Sequence, residues 1–426
     1  MARNLAHGAR RALAANTPED VMTSELTGLQ RLAAGDTVSA FTRLRRLLVD
    51  VAPGHERPID LTVGEPHERM PDFVADAMKA AEGSLTKYTP IRCSDALRQS
   101  IAAWVSRRYG IADLDPVREV HPLNGSREGL FFALMPAVGR KRTSGPPAVL
   151  MPNPNYHTYN GSALACQAEP VYLPATQETG FLPDLDALAS DTDLLSRTAA
   201  FYLCSPSNPQ GRMASAEYLH RAIQLARTYD FMLFCDECYS EIYTTVPPPG
   251  VLEVAAATSE RFENVIAFNS LSKRSNLPGL RSGFAAGDGA FLETLAEIRN
   301  LIAPQMPGPV EHASVAVWDD DAHVEIIRRA YQEKFKVCDA MLSGKFGYRK
   351  PDGGFFLWLN VSEFGDSRDF VVTLWQRYGV KVVPGAFLAQ SEADGRTPGD
   401  FYVRVALVHD LETTRDALKR VVRLAD

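Results

Sequence analysis

From about Ile59 onward, short apolar runs alternate with longer stretches whose apolar residues recur at the period of a helix. The runs fall at 148–151, 170–173, 199–204, 231–235, 265–269 and 282–286, with helix-period stretches among them at 127–138, 214–229 and 290–302. Most of the runs are apolar throughout, as strands covered on both faces must be. Strand and helix in alternation predict a largely parallel sheet flanked by helices. Past Val310 the pattern changes. A helical stretch at 311–343 leads to a strand at 355–359, a helix near 368–378, strands at 381–383 and 401–405, and a terminal helix. This predicts a smaller α+β domain, with 40–51 packing on it and 56–64 crossing to the larger one. The expected fold class is α/β: an N-terminal arm over 1–35, a large domain over 59–310 with a mostly parallel mixed sheet, and a small domain from 36–58 and 311–426.

Composition narrows the partners. The 426 residues are 45% hydrophobic and 23% charged, which is ordinary for a globular protein. A net charge of −7 is wrong for non-specific nucleic-acid binding. The short basic clusters, Arg43, Arg45 and Arg46, then Arg140, Lys141 and Arg142, read as solvated faces. No membrane span is expected: the uncharged stretch 144–168 contains Pro152, Asn153, Pro154, Asn155 and His157. The Arg- and Ala-rich start reads as a frayed arm, with a transit peptide as the competing reading. The six scattered cysteines make no disulfide framework and imply a reducing cytoplasm. Cys235 and Cys238 lack a second ligand pair and would point to opposite faces of a strand, so no metal site is expected.

In open α/β sheets ligands bind beyond the C-terminal ends of strands. Polar residues follow the apolar runs here: Asn124-Gly125-Ser126, Asn208-Pro209, Asp236 with Tyr239, and Ser270-Leu271-Ser272-Lys273. One ligand could touch all of them. The segment from Ser270 to Gly283 reads S-x-S-K, five residues, then G-x-R-x-G. It resembles the cofactor-lysine signature of the class I/II aminotransferases, fold-type I enzymes that use pyridoxal 5'-phosphate. Asn208-Pro209-x-Gly211, Asp236-x-x-Tyr239, Lys273 and Arg404 occur in that family's order and spacing, and the likeness covers nearly the whole chain after the arm.

The resemblance implies a role for each residue. Lys273 would hold the cofactor aldehyde and, once released, move the substrate proton. Asp236 would pair with the ring nitrogen, while Asn208 and Tyr239 would hydrogen-bond the phenolic oxygen. Gly125, Ser126 and Arg127, where a strand turns into a helix, would hold the phosphate with Ser270, Ser272 and Arg281. For Ser126 a helix cap is the competing reading. Tyr156 would stack on the ring, with a core tyrosine as the alternative. Tyr88 would reach the phosphate of a neighbouring subunit, which implies a homodimer with shared sites; a plain interface tyrosine competes. Arg404 would grip the substrate α-carboxylate, and Gly64 would approach the same group.

The text around Lys273, with Asp236-Glu237-Cys238-Tyr239-Ser240-Glu241-Ile242-Tyr243, more narrowly resembles the branch acting on N-succinyl-LL-2,6-diaminopimelate with glutamate in bacterial lysine biosynthesis. One departure lies at 91–98, where that family's glycine is absent. A carbon–sulfur β-lyase on the same fold would use the same lysine and aspartate. A regulatory protein with an aminotransferase-like domain lacks room for its DNA-binding unit. The far carboxylates of such a substrate need a cation. The free candidates are Arg92, Arg127 and Arg274, with Arg92 or Arg127 favoured and Arg274 expected to turn into helix packing.

Overall fold

The alternation becomes a central seven-stranded sheet in the computed structural model, which describes residues 28–34, 38–392 and 395–425. The expected arm and the competing transit peptide lie outside the described residues, save for a helix, Gly28–Ala34, against the helix His157–Ala165.

The described strands in chain order are β1 Ile59–Asp60, β2 Val120–Leu123, β3 Ala148–Asn153, β4 Glu169–Pro174, β5 Thr198–Cys204, β6 Met232–Asp236, β7 Val265–Ser270, β8 Gly283–Gly287, β9 Phe356–Asn360, β10 Val380–Lys381, β11 Val383–Pro384 and β12 Tyr402–Ala406. The large sheet runs β2-β8-β7-β6-β5-β3-β4. β8 is antiparallel to β2 and to β7, and the other pairs are parallel. Every residue of β5, β6 and β7 is buried, which is why these runs show no polar alternation. One face packs on the helices Asp95–Tyr109, Ala216–Thr228 and Gly308–Asp319 around Trp104, Phe284 and Trp318. The other packs on Ser126–Arg140 and Gly289–Ile302 around Leu130, Phe234 and Phe291.

A separate core gathers β9, β12 and the helices Ala322–Leu342, Ser367–Tyr378 and Leu411–Val422, and Leu44 and Leu48 from the start of the chain join it. β1 pairs in parallel with β10, and Leu61 N donates to Lys381 O at 2.8 Å, so this early segment is part of the smaller unit's framework.

Two stretches differ from the sequence reading. The helical stretch 311–343 is two helices, Gly308–Asp319 and Ala322–Leu342. The break is held by the buried Arg274, which donates to Val317 O, Asp320 O and Asp321 Oδ1 at 2.9, 3.1 and 2.7 Å. It satisfies carbonyls that a helix end leaves unpaired. The first of the two helices buries Ala313, Val317 and Trp318 in the large sheet's core rather than the smaller one. The expected strand at 381–383 is split, β10 serving β1 and β11 joining the three-stranded sheet β11-β12-β9.

Candidate active site

The strand ends supply the site. β2 gives way to Gly125, whose φ of +84° suits glycine, and then to the helix Ser126–Arg140. A Cβ on Gly125 would lie 2.3 Å from Arg281 Nη2, so glycine also lets that guanidinium close over the turn. Arg281, itself at φ +58°, donates to Asn124 O and Pro278 O at 3.0 and 2.9 Å. Gly125 takes the cap position, so Ser126 is the first helical residue and its Oγ meets Cys238 Sγ at 3.0 Å. Exposed N–H groups, a hydroxyl and a guanidinium at a helix start form an anion cup.

Asp236 ends β6. Tyr159 OH donates to its Oδ2 at 2.8 Å and Cys238 N to its Oδ1 at 3.3 Å. Burial pushes this carboxyl above the usual range, and these donors offset only part of the shift. After β7, Ser270 caps the short helix Leu271–Arg274, accepting from Ser272 N at 3.1 Å and donating to Ser282 O at 3.1 Å. That turn aims Lys273 Nζ at Gly64 O, with the Phe355 ring 5.3 Å away. Burial lowers the Lys273 amine to about 8.

Arg404 sits in β12, 4% exposed. It donates to Asn208 Oδ1 at 3.0 Å and Thr62 O at 2.7 Å, and its guanidinium lies 4.3 Å from the Phe356 ring centroid. Its Nε is buried without a partner, and burial lowers its pKa to about 10, so it stays a cation near neutrality. A buried cation with neutral partners alone is a stable arrangement only if an anion arrives.

These residues open on one cavity of about 630 Å³, lined by Gly64, Ser126, Arg127, Tyr156, Asn208, Asp236, Tyr239, Ser272, Lys273, Arg281 and Arg404 among others. Three sequence candidates are not in its lining. Gly125 lies behind Arg281, and Ser270 lies one layer back as the helix cap. Tyr88 is 94% exposed and away from this chain's cavity. Arg127 Nε donates to Tyr156 OH at 2.5 Å, which ties those two together.

Of the arginines considered for the far carboxylates, Arg127 lines the cavity and Arg274 is buried in helix packing. Arg92, expected to face a partner's site in a homodimer, pairs with Glu293 at 3.2 Å and donates to Val117 O, outside this chain's own lining. Sequence reasoning missed Arg43, Phe387 and His157, all in the lining. In sequence, Arg43 belongs to a basic triplet with Arg45 and Arg46 that reads as a solvated face. Yet Ala40, Arg43, Leu44 and Leu47 share one helix face, and Ala40 and Leu44 are buried, so the spacing carried the signal. Burial, then Arg127 and Arg404, lowers His157 to about 4, which keeps it neutral. Cys235 belongs to the sheet core and Cys238 to the cavity wall; no metal-ligand group occurs among the described residues.

The donor set fits a flat, anionic, ring-nitrogen cofactor: a phosphate cup at Ser126 and Arg281, a buried carboxylate at Asp236, an amine at Lys273 and an aromatic at Tyr156. The chain matches the family described as aminotransferase class I and II over residues 56–421. It is 31% identical over 387 residues to the LL-diaminopimelate aminotransferase of Moorella thermoacetica, covering 89% of this chain and 94% of that protein. An aminotransferase structure from Neisseria meningitidis superposes with a TM-score of 0.86 at 36% identity, over 91% of this chain and 98% of that one. A probable N-succinyldiaminopimelate aminotransferase from Thermus thermophilus superposes with a TM-score of 0.79 at 27% identity, over 90% and 100%.

Proposed function

The chain belongs to the class I and II aminotransferases, and from that premise we propose that it transfers the amino group of N-succinyl-LL-2,6-diaminopimelate to 2-oxoglutarate, and the reverse with glutamate. The observation that carries an acidic substrate is the charge of the cavity: Arg43, Arg127, Lys273, Arg281 and Arg404 line it against one acid, Asp236. The diaminopimelate names of the Moorella relative and the Thermus neighbour support a substrate of that type, and lysine biosynthesis in the cytoplasm would be the setting of this activity.

The family depends on pyridoxal 5'-phosphate, which supplies the electron sink that makes loss of the Cα proton feasible. Ser126, Ser272 and Arg281 would hold its phosphate, with Arg127 beside them, and Tyr156 would lie against its ring. Asp236 would keep the ring nitrogen protonated, a pairing that also relieves the cost of its own burial. Asn208 and Tyr239 would contact the phenolic oxygen, and Asn208 is already tied to Arg404. Arg404 would take the substrate α-carboxylate in a two-pronged grip beside Gly64, orienting Cα toward Lys273. Lys273, mostly neutral from about pH 8 upward, can accept the Cα proton and return it one position along. Tyr88, exposed on this chain, would complete the phosphate site of a second copy in a homodimer.

The test is a purified-enzyme assay with 2-oxoglutarate and, as donors, N-succinyl-LL-diaminopimelate, LL-diaminopimelate and cystathionine, with light scattering on the same sample. The expected results are turnover of the succinylated donor, its loss in Lys273→Ala, and twice the 46.8 kDa chain mass. Preference for unmodified LL-diaminopimelate, or pyruvate release from cystathionine without any 2-oxo acid, would overturn the substrate assignment.

A further inference from the structure

We propose that Arg43, laid on the ring of Phe387, forms a second anion subsite that recognises the carboxylate at the far end of the substrate; the inference rests on the transamination reading above. The helix Ala40–Leu47 begins at Ser39, whose hydroxyl accepts from Thr42 N, and it is anchored through Leu44 in the smaller core. This fixes Arg43 toward the cavity, with Cζ 4.2 Å from the Phe387 centroid. A guanidinium over a ring keeps its N–H donors at its edge for a planar anion, and the stacking holds the side chain in place beforehand.

Arg43 has no acidic partner among the described residues. The charged group that acts on it most is Arg368, a second cation, which lies 3.7 Å from Asp400. Burial, then Arg368, holds the Arg43 pKa below its ordinary value, as expected of a cation without its anion. The other cavity cations have work already. Arg281 bonds the carbonyls of the phosphate turn, Arg127 bonds Tyr156, and Arg404 bonds Asn208.

Arg404, which takes the α-carboxylate, and Arg43 are also linked by the backbone. Val383 in β11 is the register partner of Arg404 in β12, and the turn Gly385–Phe387 follows β11 directly. Arg404 and the Arg43–Phe387 pair are therefore carried on one small framework, which sets their spacing. A substrate with carboxylates at both ends can span such a pair while the Phe387 ring covers its methylene groups. A far carboxylate brought into this cavity without a cation would carry an uncompensated desolvation cost.

The experiment compares wild type, Arg43→Gln and Arg43→Lys as holoenzymes. The first readout is kcat/KM for N-succinyl-LL-diaminopimelate relative to norleucine. The second is binding of heptanedioate relative to hexanoate, followed by the cofactor's visible absorbance. In Arg43→Gln both ratios should fall by roughly tenfold to a hundredfold, chiefly through KM and Kd, and Arg43→Lys should recover part of the loss. Ratios equal to wild type would overturn the inference. So would equal losses with acidic and neutral compounds, or a wild type that binds heptanedioate no better than hexanoate. If wild type turns over no acidic donor yet binds heptanedioate through Arg43, the substrate reading fails and the subsite stands.

Discussion

At the scale of single residues, burial turns ordinary side chains into site groups. Lys273 shows this with a checkable sign. Its amine lies at about 8 because the neutral form is favoured out of water. A free lysine titrates near ~10.4. In protein stripped of cofactor, the rate of covalent recombination with pyridoxal 5'-phosphate should therefore rise with pH and level off just above 8. Stopped-flow absorbance checks this, and a rise continuing to pH 10 would contradict it. The folded stripped chain should also gain stability as pH rises from about 8 to 10.5, since the unfolded chain holds the extra proton there. Lys273, Asp236, Asn208, Tyr239, Arg281 and Arg404 were all legible in the sequence, because their spacing along the chain is a motif. Arg43 was not, because what brings it to the cavity is packing between the first described part of the chain and the turn at Phe387.

At the scale of elements, strand-to-helix turns do most of the positioning, and at Gly125 the turn also sets where Arg281 lies. This glycine needs a positive φ and also the space that Arg281 occupies. Gly125→Ala should meet a backbone cost of about 1–3 kcal/mol and push Arg281 off the phosphate turn. Its expected effect is a rise in the cofactor Kd of roughly tenfold or more, read by absorbance titration, with the fold retained. An unchanged Kd would show that the turn tolerates a Cβ and that Arg281 is not held there. The sequence was readable for β3 and for β5 to β8, whose apolar runs depend on burial between two helical layers, and for the half-buried edge strand β4. It was not readable at Asp320, since the break between helices depends on Arg274, 46 residues earlier. Nor was the split of β10 from β11, which follows from two different partner strands.

At the scale of the whole molecule, the two cores differ in how they are drawn from the chain. The large sheet takes its strands from 120 to 287, in one continuous region. The smaller core is assembled from both ends: Leu44, Leu48 and Ile59 pack with Val403, Val405, Leu418 and Val421. Apolar periodicity reported that these segments were amphipathic, and Leu44 and Leu48 of the early stretch pack against the later part of the chain. What periodicity lacks is register, so the parallel pairing of Ile59 with Val380 had to come from the structure.

That pairing bears on the order in which the protein can become itself on the ribosome. The helix Ala40–Leu47 and β1 emerge early, and the strands and helices that cover them emerge last. Joining residues separated by more than 300 positions carries a loop-closure cost, repaid only once the distant partner exists. Meanwhile the sheet of β2 to β8 has its complete sequence and can condense first. A nascent chain stalled with residues up to about 379 outside the tunnel should therefore resist protease across the large sheet, yet be cut readily between Ala40 and Leu61. Release of the full chain should remove that cut. Arg43 and Arg404 would then meet only when synthesis is finished, so that no incomplete chain carries a working substrate site.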